Sequence, residues 1–82
     1  MSRYFVRKVS VGTGENAQRG PFATESEARM ILANEVEATY EAEAVLARHD
    51  IQLEVDEAVR SGFKEVKDKT GKVAYVFSIE QE

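Results

Sequence analysis

The chain has 82 residues and a net charge of −4 at pH 7, with 43% hydrophobic and 32% charged residues. That is enough for one folded domain spanning 1–82 and too little for two, and the composition is that of a folded chain, not of a disordered one. The absence of Cys excludes disulfides, thiolate zinc sites, iron–sulfur clusters and cysteine nucleophiles.

Arg3 to Val11 are rich in β-branched and aromatic residues and run into Gly12-Thr13-Gly14, the pattern of a strand ended by a turn. Gly12 to Pro21 are short of apolar residues and hold three of the five glycines and the one proline, which predicts a loop of about ten residues. Thr24 followed three residues later by Glu27 spells a capping box. From there Ala28, Ile31, Leu32, Val36, Thr39, Ala42 and Val45/Leu46 repeat at helical spacing, predicting a long helix that ends near Ala47 to His49.

Residues 50–61 fit two patterns. Ile51, Leu53 and Val55 alternate as in a strand, while Ile51, Val55, Ala58 and Val59 form a helical stripe. Asp50 as N-cap and Gly62 as a left-handed terminator favour a second, short helix, with a strand over 51–55 as the alternative. A hairpin follows, Phe63–Lys67 and Lys72–Ile79 joined by Asp68-Lys69-Thr70-Gly71. The expected fold is α+β in the order β-α-(α)-β-β, a three-stranded, mostly antiparallel sheet with the long helix on one face.

In the last strand Val73, Tyr75, Phe77 and Ile79 share one face, and Ala74, Val76 and Ser78 the other. Placing the helix over Phe5, Val9, Tyr75 and Phe77 leaves Tyr4, Val6, Ala74 and Val76 as an exposed apolar patch, the kind of surface that serves as an interface. Arg7 is the anomaly in this assignment, since it falls on the helix-covered parity.

Charge is segregated along the chain. Residues 1–20 carry +3, 21–47 carry −5, 48–62 carry −2, and 63–82 balance. The long helix is acidic, with Glu35, Glu37, Glu41 and Glu43 close together and no Lys one turn from Glu37 or Glu41.

The inventory for catalysis is thin. His49 stands alone beside Asp50 at a helix end, where a cation interacts favourably with the dipole, and Glu41 lies more than two turns away, too far to share one metal ion with it. Gly12-Thr13-Gly14 after a strand lacks the immediate helix that dinucleotide binding requires. No enzyme activity, cofactor or metal is expected. Arg3, Arg7 and Lys8 with Tyr4 and Phe5, and Lys64 and Lys67 in the hairpin, make a nucleic-acid-binding module the alternative, against the acidic balance.

The nine residues Gly20-Pro21-Phe22-Ala23-Thr24-Glu25-Ser26-Glu27-Ala28 are similar to the turn before the capped helix of SPOR peptidoglycan-binding domains. The likeness ends there, with no second strand–helix repeat, and it implies no binding residue and no family for this chain. The expected function is therefore non-enzymatic protein binding, as an inhibitor or accessory protein or as a homodimer. Its contact residues would be Glu35, Glu37 and Glu41 on the helix and Tyr4, Val6 and Val76 on the sheet. Without an apolar stretch near the ~18 residues of a membrane span, and with Arg3, Arg7 and Lys8 interrupting the N-terminus, no membrane partner and a cytoplasmic location are expected.

Overall fold

In the computed structural model, which describes residues 2–43, 46 and 50–82, six elements follow in the order β-β-α-α-β-β. They are β1 (Tyr4–Ser10), β2 (Asn16–Phe22), α1 (Glu25–Ala42), α2 (Ile51–Ser61), β3 (Phe63–Lys67) and β4 (Val73–Gln81). The strands form one antiparallel sheet in the order β2-β1-β4-β3, so the two terminal strands of the chain lie side by side at its centre. The fold is α+β, as expected, but with four strands instead of three.

The extra strand is β2, in the segment read as a loop. Every residue from Asn16 to Pro21 is exposed, so β2 has no apolar alternation to betray it. It is held by its backbone ladder to β1, where Val6 pairs with Arg19, Arg7 with Gln18 and Lys8 with Ala17. Between Tyr4–Phe22 and Val6–Arg19 the register slips, leaving Gly20 and Pro21 opposite Phe5 in a bulge. Gly20 has φ +128°, and a Cβ there would stand 2.8 Å from the Tyr4 carbonyl oxygen, so only glycine fits.

The helix boundaries follow capping chemistry. Thr24 Oγ1 accepts from the Glu27 amide at 3.2 Å, opening α1. Asp50 accepts from the amides of Gln52 and Leu53, and Gly62 closes α2 at φ 71°, so residues 51–55 are helical and the strand alternative falls away. α1 is shorter than expected. Glu43 already turns extended, at φ −120° and ψ 105°, and donates its amide to the Thr39 carbonyl. The expected end at residues 47–49, and His49 itself, lie outside the described residues. Leu46 is fully buried and bridges to Asp68. In the β3–β4 hairpin, Asp68 accepts from the amides of Thr70 and Lys72.

Both helices pack on one face of the sheet. Val6, Phe77 and Val66 from the strands meet Ala28, Leu32, Val36 and Tyr40 from α1 and Val55 and Ala58 from α2, together with Leu46, in one buried core. The pairing of Val6 with Ile79 and of Lys8 with Phe77 fixes which face of β1 this is. Val6 is 2% exposed, and the expectation that β1 turns Phe5 and Val9 toward the helices is corrected. Because side chains alternate with a period of two, the reversal moves the whole strand at once. Tyr4 and Val6 are under the helix layer, and Phe5, Arg7 and Val9 are on the other side. The Arg7 anomaly disappears with it.

Candidate binding surface

Four strands alternate their side chains toward the helices and away from them, so among the described residues one whole face of the sheet carries no second layer. The cross-strand pairs define its rows. Gln18, Arg7, Ser78 and Phe63 lie across all four strands in one row, and Asn16, Val9, Val76 and Glu65 in the next. Phe5 faces Glu80 at one end, and Val11 runs beside Ala74 at the other. Phe63 is 49% exposed and Val11 51%, while Phe5, Val9 and Val76 are half-buried.

The two arginines on this face are paired within it, and Glu65 adds an exposed carboxylate at its β3 edge. Arg7 Nη2 lies 3.0 Å from Glu80 Oε2, and Arg3 pairs with Glu82 at 3.2 Å while its guanidinium sits 5.9 Å from the centre of the Phe5 ring. Arg7 Nε is buried without an acceptor. The face is thus an apolar strip of Phe5, Val9, Val76 and Phe63 interrupted by the Arg7–Glu80 ion pair and bordered by Glu65 at the β3 edge. Of the sheet residues expected at the interface, Val76 is here, whereas Tyr4 and Val6 are on the opposite side. Their removal has a physical cause, the reversed facing of β1, and Phe5, Val9 and Phe63 take their place. The sequence carried one signal for this, Arg7 on the parity assigned to the core.

The basic residues considered for nucleic acid are dispersed. Lys8 lies on the helix side, donates to Thr39 Oγ1 at 3.1 Å and sits 4.6 Å from the Tyr75 ring centre and 5.7 Å from that of Phe77. Lys64, also on the helix side, bonds Glu57 at 3.0 Å and the Glu54 carboxylate. Lys67 is exposed beyond it on the edge strand.

The acidic helix residues are also unequal. Glu35 is ion-paired with Arg19 of β2, whereas Glu37 and Glu41 are on the outer surface of α1. Among the described residues, Met30 on α1 and Leu53 on α2 are the large apolar side chains exposed on that layer, at 66% and 64%.

At the β3 edge, Tyr40, Glu54, Glu57, Ser61, Phe63, Lys64, Glu65 and Lys67 line a cleft of about 470 Å³. Tyr40 donates its hydroxyl to Glu54 at 3.3 Å, and burial followed by the Glu54 charge pushes its pKa up to about 12. Burial works against the Lys64 charge, but its hydrogen bonds to Glu54 and Glu57 outweigh that and raise its pKa. A phenol and an ammonium held this firmly in their protonated forms supply neither a base nor a nucleophile near neutral pH. Tyr75 is likewise raised to about 12, first by its hydrogen bond to Glu43 and then by burial.

Among the described residues no group of three or more His, Asp or Glu side chains is arranged to hold a metal ion, and no helix is long and apolar enough to cross a membrane. No family model, curated protein or solved structure matches the chain.

Proposed function

We propose that this chain is a non-enzymatic protein-binding module whose contact surface is the open face of the sheet. One observation carries the reading: both helices pack on the same side, leaving Phe5, Val9, Val76 and Phe63 together on the other without a covering layer. A flat strip of this kind suits a protein surface better than a small molecule, which needs a concave site. The ion pairs at Arg3 and Arg7 leave little net charge on the strip, so contact there rests on apolar burial. The exposed acids Glu37 and Glu41 belong to the opposite layer, where they steer approach and keep the chain soluble.

The test uses the tagged chain as bait beside two variants. Val76→Glu should abolish partner capture with little change in thermal stability, and Glu37→Lys combined with Glu41→Lys should leave capture largely intact. Capture that survives Val76→Glu but fails with the helix double variant would transfer the site to α1.

The nucleic-acid alternative has less behind it, since Arg3, Arg7, Lys8 and Lys64 are divided between the two sides of the sheet and each has an acceptor or an aromatic ring as partner. It would show as oligonucleotide binding that weakens steeply with salt.

A further inference from the structure

Resting on the reading of the open sheet face as the contact surface, we infer that its occupant is a second copy of this chain, stacked sheet to sheet about a two-fold axis.

The charge distribution selects this arrangement. Residues 25–61, which span both helices, carry ten acidic and three basic residues, or −7, and the remainder of the chain carries eight basic and five acidic, or +3. Two copies meeting helix layer to helix layer would set two negatively charged surfaces against each other, even with Glu35, Glu54 and Glu57 paired to Arg19 and Lys64 of the sheet. A copy docking its sheet on another's helices makes a head-to-tail contact, which closes only as a ring and otherwise leaves one sheet open at the end of every chain of subunits. Sheet to sheet, the same patch meets itself and the assembly closes at two. The facing surfaces hold the compensated Arg7–Glu80 pair and an apolar strip instead of a field of one sign.

Distance then removes the remaining repulsion. Sheets stack about 10 Å apart, and a helix layer about 10 Å thick lies outside each. The outer acidic surfaces of Glu37 and Glu41 would therefore stand about 30 Å or more apart, several times the screening length of about 8 Å at physiological salt.

The area is of the right order. Strands about 4.8 Å apart and about seven residues long give a planar footprint of about 400 Å² per copy. Side chains standing on that plane raise the accessible area above it, which brings the two faces together near the ~1,000 Å² that distinguishes a specific interface from a casual contact. The row of Arg7 and Ser78 and the row of Val9 and Val76 cross the two central strands, so a two-fold axis parallel to the strands and between β1 and β4 sets each row against its symmetry mate, Val9 over Val76 of the second copy.

Sedimentation velocity over a wide concentration range, with the full chain, tests the inference. The wild type should associate as a dimer. Val76→Glu should raise the dimer dissociation constant about 100-fold by placing a desolvated charge in each half of the contact. Met30→Glu, on the helix surface, should leave it unchanged. Because the chain has no Cys, Ser78→Cys provides an independent reading that does not depend on how Val76→Glu folds: a bis-maleimide whose spacer matches the gap of about 10 Å between stacked sheets should link two copies, and Met30→Cys should not give that product. A wild type that stays monomeric at the highest concentration, or a dimer broken by Met30→Glu and not by Val76→Glu, overturns the inference. Loss of heterologous partner capture in Val76→Glu together with a monomeric wild type would retain the open face as a binding surface and reject only the second copy. Unchanged capture as well would reject both.

Discussion

Replacing Val6 by Ala tests the facing of β1 on which the whole site depends. Val6 is 2% exposed in the middle of the core, opposite Ile79 on β4. The substitution removes two methyl groups, worth about 0.8 kcal/mol each in transfer, and the cavity left under α1 adds about another 1 kcal/mol. The expected loss is about 2–3 kcal/mol. For a domain of this size each kcal/mol lowers Tm by about 4–8 °C, so Val6→Ala should melt about 10–20 °C below the wild type. Val9→Ala, three residues along on the open face, should cost under about 1 kcal/mol because the side chain is half in water. The comparison is made by thermal unfolding followed by circular dichroism. Dilute samples are used, where the apparent Tm no longer depends on protein concentration and association contributes nothing. A Val9→Ala loss equal to or larger than that of Val6→Ala would mean that β1 faces the other way, and the open surface described here would lose Phe5, Arg7 and Val9 together.

Three further outcomes follow from the geometry. Gly20→Ala should destabilise far more than the ~1 kcal/mol of an ordinary glycine replacement, since its Cβ would press the Tyr4 carbonyl at 2.8 Å; a denaturant midpoint close to the wild type would refute the β1–β2 bulge. Asp50→Ala should cost about 1 kcal/mol by releasing the amides of Gln52 and Leu53, and Asp50→Ser should recover most of it; equal melting of all three would remove Asp50 as the cap. Tyr40 and Tyr75, both raised to about 12, stabilise the fold fully below their unfolded value near 10, and that contribution is lost as pH rises from about 10 through 12. In ultraviolet titration of the folded chain these two phenols should ionise late, and Tyr40→Phe should remove one late transition. A single transition at the ordinary phenol value for all tyrosines would refute the hydrogen bonds to Glu54 and Glu43.

What could be read from the sequence was whatever local chemistry decides. Thr24, Asp50 and Gly62 mark helix ends because their side chains, or the lack of one, settle backbone groups within a few residues, and each is where it was expected. The Asp68–Gly71 turn is legible for the same reason. β2 was not, because an edge strand exposed on both sides has no reason to alternate. Its formation depends on pairing with β1, and nothing in the letters Asn16 to Phe22 records that partner. The facing of β1 failed differently. Phe5, Val9 and Val11 are as apolar as Tyr4 and Val6, so hydrophobicity could not choose between parities, and the choice is made by register against β4. Arg7 and Lys8 split the decision. Lys8 tolerates the covered side because its amine reaches Thr39 and its stem runs over Tyr75 and Phe77, whereas Arg7 takes the open side with Glu80.

The charge pattern shows how topology converts chain order into a surface. Basic residues are concentrated near the two ends of the sequence and acids in its middle. Because β1 and β4 come from opposite ends and pair at the centre of the sheet, the basic N-terminal end and the charge-balanced C-terminal end enter one layer and the acidic middle folds over them as the other. On the open side of the sheet the cations are paired within the layer, Arg3 on Glu82 and Arg7 on Glu80, while on the covered side Arg19 pairs with Glu35 of α1 and Lys64 with Glu54 and Glu57 of α2. An open face whose arginines are already paired, with Glu65 at its edge, gains little from an oppositely charged partner and much from apolar burial. Association through it should therefore persist as salt is raised, whereas binding through the outer acids of α1 would fade. The salt dependence of any complex this chain forms thus reports which of its two layers is in the contact.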